Sequence, residues 1–241
     1  MISVTILTKN SAPFLHSLLT QLVSFPEVII LDTGSEDDTL KIAAQFANVS
    51  IHTSPFVGFG KTHNIASDLA HHEWILSLDS DEIPTDELIE EIHSLDLDPN
   101  SVYSISRHNW YRNKWIKGCG WYPDRVVRLY NKKATRFSED EVHETVLSKH
   151  LQIISLKNPV NHHPYNSIDD FLRKMSLYSS LFAKQHKGRK KASFVTALSH
   201  GCWAFFKSFF LKRGFLLGTE GLEISLYNSI TAYYKYLKLR L

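Results

Sequence analysis

The first hundred residues alternate short apolar runs with segments whose apolar positions recur at helical spacing, the pattern of successive strand–helix–strand units. Ile2 to Leu7 reads as a buried strand ending near Thr8. Phe14, Leu15, Leu18, Leu19 and Leu22 then share one helical face, with Ser11 as the candidate N-cap. Val28 to Leu31 is a second strand, ending at Asp32. In the turn Thr33-Gly34-Ser35, Ser35 can cap a helix whose positive N-terminus suits Glu36, Asp37 and Asp38. Val49 to His52 makes a third strand, and the loop Ser54 to Gly60 leads into a helix from Lys61 to Ala70. Trp74 to Leu78 is a fourth strand, running into Asp79-Ser80-Asp81-Glu82. Pro84 and Thr85 open a short helix after it.

After Asn100 the pattern changes. Val102 to Ser106 and Arg125 to Tyr130 read as strands around a loop rich in Trp, Tyr and Gly, a mixed-sheet continuation. From Ser167 onward Phe171, Met175, Tyr178 and Phe182 take helical spacing. Lys187 to Lys191 is a basic linker, and two more helices follow. The expected organisation is an α/β domain over residues 1–166, divided near residue 100, and a helical extension over 167–241.

Composition supports a packed chain: 43% of the 241 residues are hydrophobic. The two cysteines, Cys119 and Cys202, are far apart and in no metal-ligand spacing, so reduced thiols are expected. Met1 leads directly into a strand pattern with no basic start, so no secretory leader is expected. The most apolar late stretch, Ala192 to Phe206, carries His200 and falls short of the roughly 20 residues that cross a bilayer. Charge is divided unevenly. Residues 1–150 hold 13 Lys+Arg against 21 Asp+Glu, whereas residues 184–241 hold 11 against 2. A basic, aromatic tail on an acidic body suits an anionic surface; the plainer reading is a helical tail kept soluble by Lys and Arg.

Doubly wound sheets bind ligands beyond the carboxyl ends of their strands. Three such ends carry polar groups here: Thr8-Lys9-Asn10, Asp32, and Asp79-Ser80-Asp81. Two carboxylates one residue apart can serve a ribose and a hard divalent cation that bridges to diphosphate oxygens. The alternative is that Asp81 and Glu82 cap the next helix.

The segments SVTILTKN, ILDTGSEDDT, GFGKTHN and WILSLDSDE, in that order, resemble a family 2 glycosyltransferase. The later runs KGCGWYPDRVVRLYNKK, FSEDEVHE, HHPY and FFKSFFLKRGF extend the resemblance over essentially the whole chain, most closely toward the lipopolysaccharide inner-core branch. The resemblance implies a GT-A fold, a Rossmann-like mixed sheet with helices on both faces. It also implies a UDP-sugar donor, a Mn²⁺ or Mg²⁺ ion and inversion at the anomeric carbon. Matched position by position, Thr8 and Asp32 face the uridine, while Asp79 and Asp81 face ribose, diphosphate and metal. His63 stands before Asn64 where the family often has Arg or Lys, which either leaves diphosphate pairing to Lys61 or weakens it.

An acceptor hydroxyl is a poor nucleophile and needs a base to take its proton. Within Glu139-Asp140-Glu141-Val142-His143-Glu144, family position favours Glu144, with the preceding acidic residues read as a solvated loop. His162 matches the histidine that completes the metal shell in GT-A enzymes; a core histidine is the competing reading. Trp121, beside Gly118-Cys119-Gly120, is either a sugar-stacking platform or core. Arg125 and Arg128 lie on opposite strand faces, and family position assigns Arg128 to phosphate or acceptor. Apart from His143, His162 and His163, the other ten histidines show no ligand spacing. The resemblance implies transfer of a hexose, glucose first, to an inner-core heptose. Alternatives are another sugar and acceptor, a nucleotidyltransferase (disfavoured because Thr8-Lys9-Asn10-Ser11 is not glycine-rich) and a non-catalytic nucleotide-sugar or membrane-binding module. The expected partners are a nucleotide sugar, a lipid-linked saccharide and an anionic membrane, with no nucleic acid. The expected place is the cytoplasmic face of the inner membrane, with Trp203 to Arg213 either lying in the interface or packed on the protein.

Overall fold

The computed structural model describes all residues except 140–143, 166, 189, 191 and 241. The chain divides into two compact units, residues 1–107 with 124–162, and residues 108–123 with 163–241.

In chain order the elements are β1 (Ile2–Thr8), α1 (Ala12–Gln21), β2 (Glu27–Asp32), α2 (Thr39–Ala43), β3 (Val49–Thr53), α3 (Phe59–Leu69), β4 (Trp74–Asp79), β5 (Glu82–Pro84), α4 (Asp86–His93), β6 (Ser101–Tyr111), β7 (Lys114–Trp115), β8 (Arg125–Asn131), β9 (Gln152–Tyr165), α5 (Ile168–His186), α6 (Phe194–Phe206) and α7 (Thr219–Arg240).

In the first unit the sheet runs β3-β2-β1-β4-β8-β6-β9-β5. β3, β2, β1 and β4 are mutually parallel, and β8 joins β4 antiparallel. The first two crossovers move the chain to one side of β1, and β4 then lies on the other side. Strand order therefore reverses at β1, which places the ligand crevice at the carboxyl ends of β1, β2 and β4. Strand alternation buries two faces. Val4, Ile6, Ile30, Leu76 and Leu78 pack against Leu15, Leu18 and Leu19 of α1 and Leu88 and Ile92 of α4. Ile29, Ile75, Val102 and Tyr130 pack against Phe137 and Val146 on the other face.

Three local expectations change. The helix after β2 begins at Thr39, not near Ser35, because the Ser35 hydroxyl is bonded to Asp32. Pro84 ends a short strand, antiparallel to β9 at Glu82↔His162, and α4 starts one step later under a Thr85 cap. β6 continues past Ser106 to Tyr111.

In the second unit β7 folds back on the end of β6. Ser167 and Asp170 form a capping box on α5. α6 passes into a π-helical turn over Lys207–Leu211, and Arg213 takes a left-handed conformation before a 3₁₀ turn at Gly214–Leu217. Close backbone contacts tie this elbow down: a Cβ on Gly221 would stand 1.9 Å from the Gly214 carbonyl oxygen, and one on Gly118 would stand 2.9 Å from that of Lys212. Trp121 belongs to the core. It stacks on Tyr165 with ring centroids 5.5 Å apart, in a cluster with Tyr111, Phe171 and Ile224.

Candidate active site

The strand ends converge as the alternating pattern requires, and their loops are tied together before any ligand arrives. Thr8 and Asp32 end β1 and β2 and are both buried. The Thr8 hydroxyl donates to Asp32 Oδ1 at 2.8 Å, and the Ser35 hydroxyl donates to the same oxygen at 2.5 Å. Asp32 Oδ2 accepts from the Gly34 and Ser35 amides at 2.9 and 2.8 Å. These bonds occupy the roughly four lone-pair sites of a carboxylate. Burial works against the Asp32 charge, and the bonds from Ser35, Thr8 and Gly34 outweigh it, holding the pKa below its ordinary value. Ser35 Oγ also accepts the Asn10 amide at 2.8 Å, Asn10 Oδ1 accepts the Glu36 amide at 2.8 Å, and Ser11 Oγ donates to Ser80 Oγ at 2.9 Å. The loop after β1 is thus joined to those after β2 and β4. Thr8 and Asp32, expected against a nucleoside, face each other and this turn.

A charge network lies beneath the end of β4. Arg128 on β8 is buried and donates from one terminal nitrogen to Asp79 Oδ2 and to Glu82 Oε1. Glu82 Oε2 accepts the Asp79 amide at 3.2 Å, and Arg107 Nη1 lies 3.5 Å from Glu82 Oε1. Arg107 itself clamps Asp124 at 2.9 and 3.1 Å. Burial opposes the Asp79 charge, but Arg128, His63, His162 and Arg107 hold its carboxyl well below the usual range. Burial likewise works against the Arg128 charge, which Asp79 and Glu82 keep in place, raising its pKa. For Glu82 burial is the larger influence and pushes the carboxyl up, against the pull of Arg128. Arg128, expected at phosphate or acceptor, is buried and bonded to Asp79 and Glu82, at the point where the β8–β6 register shifts. Its chemistry is to fix Asp79 in the ionised state.

His63 is the neighbour that the sequence did not single out as a site residue. It is buried on α3, one ring nitrogen 3.1 Å from Ser77 Oγ and the other 4.0 Å from Asp79 Oδ1. Its ring stacks on Phe137 at 4.4 Å. Burial drives the imidazole down to about 4, against the opposing pull of Asp79, so it is neutral near pH 7.

Asp81 and His162 form a second group, with Nε2 3.6 Å from Oδ1. Adjacent ligands about 2.1 Å from one ion stand roughly 3.0 Å apart and opposed ones roughly 4.2 Å. At 3.6 Å the pair lies between these two spacings, so the two groups are neighbours that a shared ion would have to draw into an adjacent arrangement. Among the described residues no three His, Cys, Asp or Glu side chains converge on a metal position. Asp79, expected as a third ligand, has Oδ2 engaged by Arg128.

Lys61, on the first turn of α3, is exposed and 3.6 Å from Glu139 Oε2. Glu144 is half-buried and makes no hydrogen bond or ion pair with another described residue. Asp140, Glu141 and His143 lie outside the described residues. Arg125 is exposed, whereas Arg128 is buried. The residues missed from sequence are Glu82, Arg107 and His63. Glu82 directly follows the Asp-Ser-Asp run, and Arg107 is the only Lys, Arg, Asp or Glu of β6, Ser101–Tyr111, where a lone cation signals a buried partner.

A family model described as glycosyl transferase family 2 matches residues 3–146. An uncharacterized glycosyltransferase of Rickettsia felis is 30% identical over 99% of this chain and 89% of its own length. Its counterpart from Rickettsia bellii is 28% identical over 99% and 86%. Among solved structures, the mannosyltransferase PcManGT from Pyrobaculum calidifontis in complex with GDP-Man and Mn²⁺ aligns with a TM-score of 0.52 at 13% identity, covering 94% of this chain and 73% of its own. S. aureus TarS 1-349 in complex with UDP-GlcNAc aligns at 0.51 and 18% identity, covering 90% and 76%. These likenesses show the shared GT-A fold.

Proposed function

The chain belongs to the family 2 glycosyltransferases, and from that premise we propose that it transfers glucose from UDP-glucose to a heptose of a lipopolysaccharide inner core, with inversion. The observation that carries the reading is the division of labour at the site. One carboxylate (Asp79) is fixed in the ionised state, one (Asp81) stands beside an imidazole, and a third (Glu144) is free of partners among the described residues.

The nucleobase lies against the turn shaped by Thr8 and Asp32, and Asp79 meets the ribose. Asp81 and His162 would hold a Mn²⁺ or Mg²⁺ ion, which when bound would neutralise charge on the diphosphate. Lys61 swings from Glu139 to the same anion. Glu144 takes the proton from the acceptor hydroxyl as its oxygen forms a bond to the anomeric carbon and the bond to UDP breaks on the opposite face. Asp124 is unsuited to that task, since Arg107 holds both its oxygens. A nucleoside-diphosphate sugar is supported by what the Pyrobaculum and TarS structures contain.

The helical unit serves the lipid-linked acceptor. No helix among the described residues is long and apolar enough to cross a membrane. Yet Trp203, Phe206, Phe210, Leu211, Phe215 and Leu216 are all exposed, beside Lys207, Lys212 and Arg213. This surface fits an anionic interface on the cytoplasmic side. The upstream Arg189 and Lys191, read with Lys190 as part of the same basic supply, lie outside the described residues.

The test is a donor screen of UDP-glucose, UDP-galactose, UDP-GlcNAc and GDP-mannose with a heptose-terminated lipid A–core acceptor. UDP-glucose should be preferred, excess chelator should abolish turnover, and Mn²⁺ or Mg²⁺ should restore it. Glu144→Gln should bind UDP as the wild type does and turn over ~10² to 10⁴-fold more slowly. Transfer from GDP-mannose alone overturns the donor assignment, full activity in chelator overturns the metal, and a fully active Glu144→Gln overturns the base.

A further inference from the structure

The buried face of α3 carries Gly60, His63, Asn64 and Ser67 at helical spacing, an unusually polar set for a helix packed on a sheet. Three of these four grip the same short segment. Asn64 Oδ1 accepts the Phe137 amide at 2.9 Å while its Nδ2 donates to the Phe137 carbonyl at 3.1 Å. The side chain thereby satisfies both backbone groups of Phe137, as a neighbouring strand would. His63 stacks on the Phe137 ring, and its far nitrogen reaches toward Asp79. Gly60 lies so close to the next residue that a Cβ there would stand 1.8 Å from the Ser138 carbonyl oxygen and 3.4 Å from the Glu144 Cβ.

The gripped segment is one arm of a pair. Phe137 bridges Val146 in antiparallel sense, and the Ser138 amide donates to the Thr145 carbonyl at 2.8 Å. Glu144 sits at the start of the other arm. One helix face therefore touches the donor-side carboxylate Asp79 through His63 and the arm that carries Glu144 through Asn64 and Gly60. Nothing in hydrophobic packing calls for a buried amide at this place. A leucine would fill the space but leave the Phe137 amide and carbonyl buried without their partner.

We infer that α3 sets the separation between the donor site and the general base, with Asn64 as the positioning residue that fixes the Glu144 arm. Asn64 touches neither substrate; it acts through Phe137. The inference rests on the assignment of Glu144 as the base. Active-site geometry is steep, since about 1 Å of misplacement far from the chemistry can cost ~10²-fold in rate.

The test reads UDP release from UDP-glucose with the heptosyl lipid acceptor, and UDP affinity by calorimetry, on the full chain. Asn64→Ala should lower kcat by ~10 to 10²-fold with UDP affinity within about threefold. Asn64→Asp, of the same shape, should do no better, because a carboxylate oxygen then faces the Phe137 carbonyl. Ser67→Ala removes a buried 2.7 Å bond to the Tyr130 hydroxyl on the same helix face without touching Phe137, and its kcat should match wild type. Added to Glu144→Gln, Asn64→Ala should cost nothing more, since both act at one step. If Asn64→Ala does not fold, Asn64→Ser, which can keep one of the two bonds, is read in its place with the same expectation. Wild-type kcat in the Asn64 variants, an equal loss in Ser67→Ala, or full additivity with Glu144→Gln would overturn the inference while the base assignment stands. A fully active Glu144→Gln overturns both.

Discussion

Replacing Arg128 by Met takes the cation from between Asp79 and Glu82 and leaves an unbranched apolar chain in most of its volume. Arg128 is 6% exposed and Glu82 0%, so water cannot replace what Glu82 loses. Asp79, with its side chain 38% exposed, is better served and adds less. Removing one partner of a buried pair costs about 3–5 kcal/mol. Arg107 still stands 3.5 Å from Glu82, which puts the expected loss at about 3 kcal/mol, the lower end of that range. The urea midpoint of the first unit should fall by roughly 1 M. The pH dependence supplies the sign. In the wild type, burial opposes the Asp79 charge but Arg128 holds its pKa below the ordinary 3.8, so its stabilisation is present above that value and is lost as pH falls through the lowered one. In the variant the largest opposing cation is gone while His63, His162 and Arg107 remain: Asp79 rises, and Glu82, already pushed up by burial, rises further. A raised carboxyl favours the folded state below the unfolded pKa and loses that advantage as pH increases. The deficit of Arg128→Met should therefore narrow from about pH 7.5 to about pH 4.5. Adding Glu82→Gln should recover most of the loss, because a neutral amide replaces the stranded carboxylate. A deficit below about 1 kcal/mol, or one of equal size at both pH values, would refute this account of the network.

Two further outcomes are expected. Lys207, Lys212 and Arg213 changed together to Gln should lower co-sedimentation with anionic vesicles, each cation contributing about 1 kcal/mol near the surface, and should leave hydrolysis of UDP-glucose in solution unchanged; equal binding to neutral and anionic vesicles counts against an electrostatic role. Glu27 is buried, which opposes its charge, yet bonds from Ser3 and His71 hold its pKa below 4.5; its stabilisation is present above that value and lost as pH falls through the lowered one. Glu27→Gln should thus cost ~1–2 kcal/mol in urea melts at neutral pH and progressively less as pH falls through the lowered pKa, and an undiminished cost in strong acid rules the linkage out.

The parallel half of the fold was legible because each strand is a continuous apolar run ending in a polar group: Ile2 to Thr8, Val28 to Asp32 and Trp74 to Asp79 all match within a residue. The strands beyond residue 100 mix charge and proline into the pattern. β9 carries Lys157, Pro159 and two histidines, and β5 is three residues long, too short for any periodicity. The site divided along the same line. Strand ends announce themselves, whereas partners supplied from elsewhere in the chain do not. The tie between Arg128 and Asp79, 49 residues away, depends on β8 lying beside β4, and that adjacency has no local signature. His63 was hidden for another reason: its neighbours Thr62 and Asn64 are also polar, and only the helix phase shows that His63 and Asn64 turn inward.

The hydroxyl and amide bonds that join Asn10, Ser11, Ser35 and Ser80 have a bearing on how a nucleotide is caught. A loop that must order itself around a ligand gives up conformational entropy on each encounter. It also slows capture, because only a minority of encounters find it shaped correctly. Here that ordering is completed during folding. The association rate constant should then follow diffusion and the local field, remaining nearly constant from one nucleotide to another. Discrimination among bases would be expressed in how long each one stays.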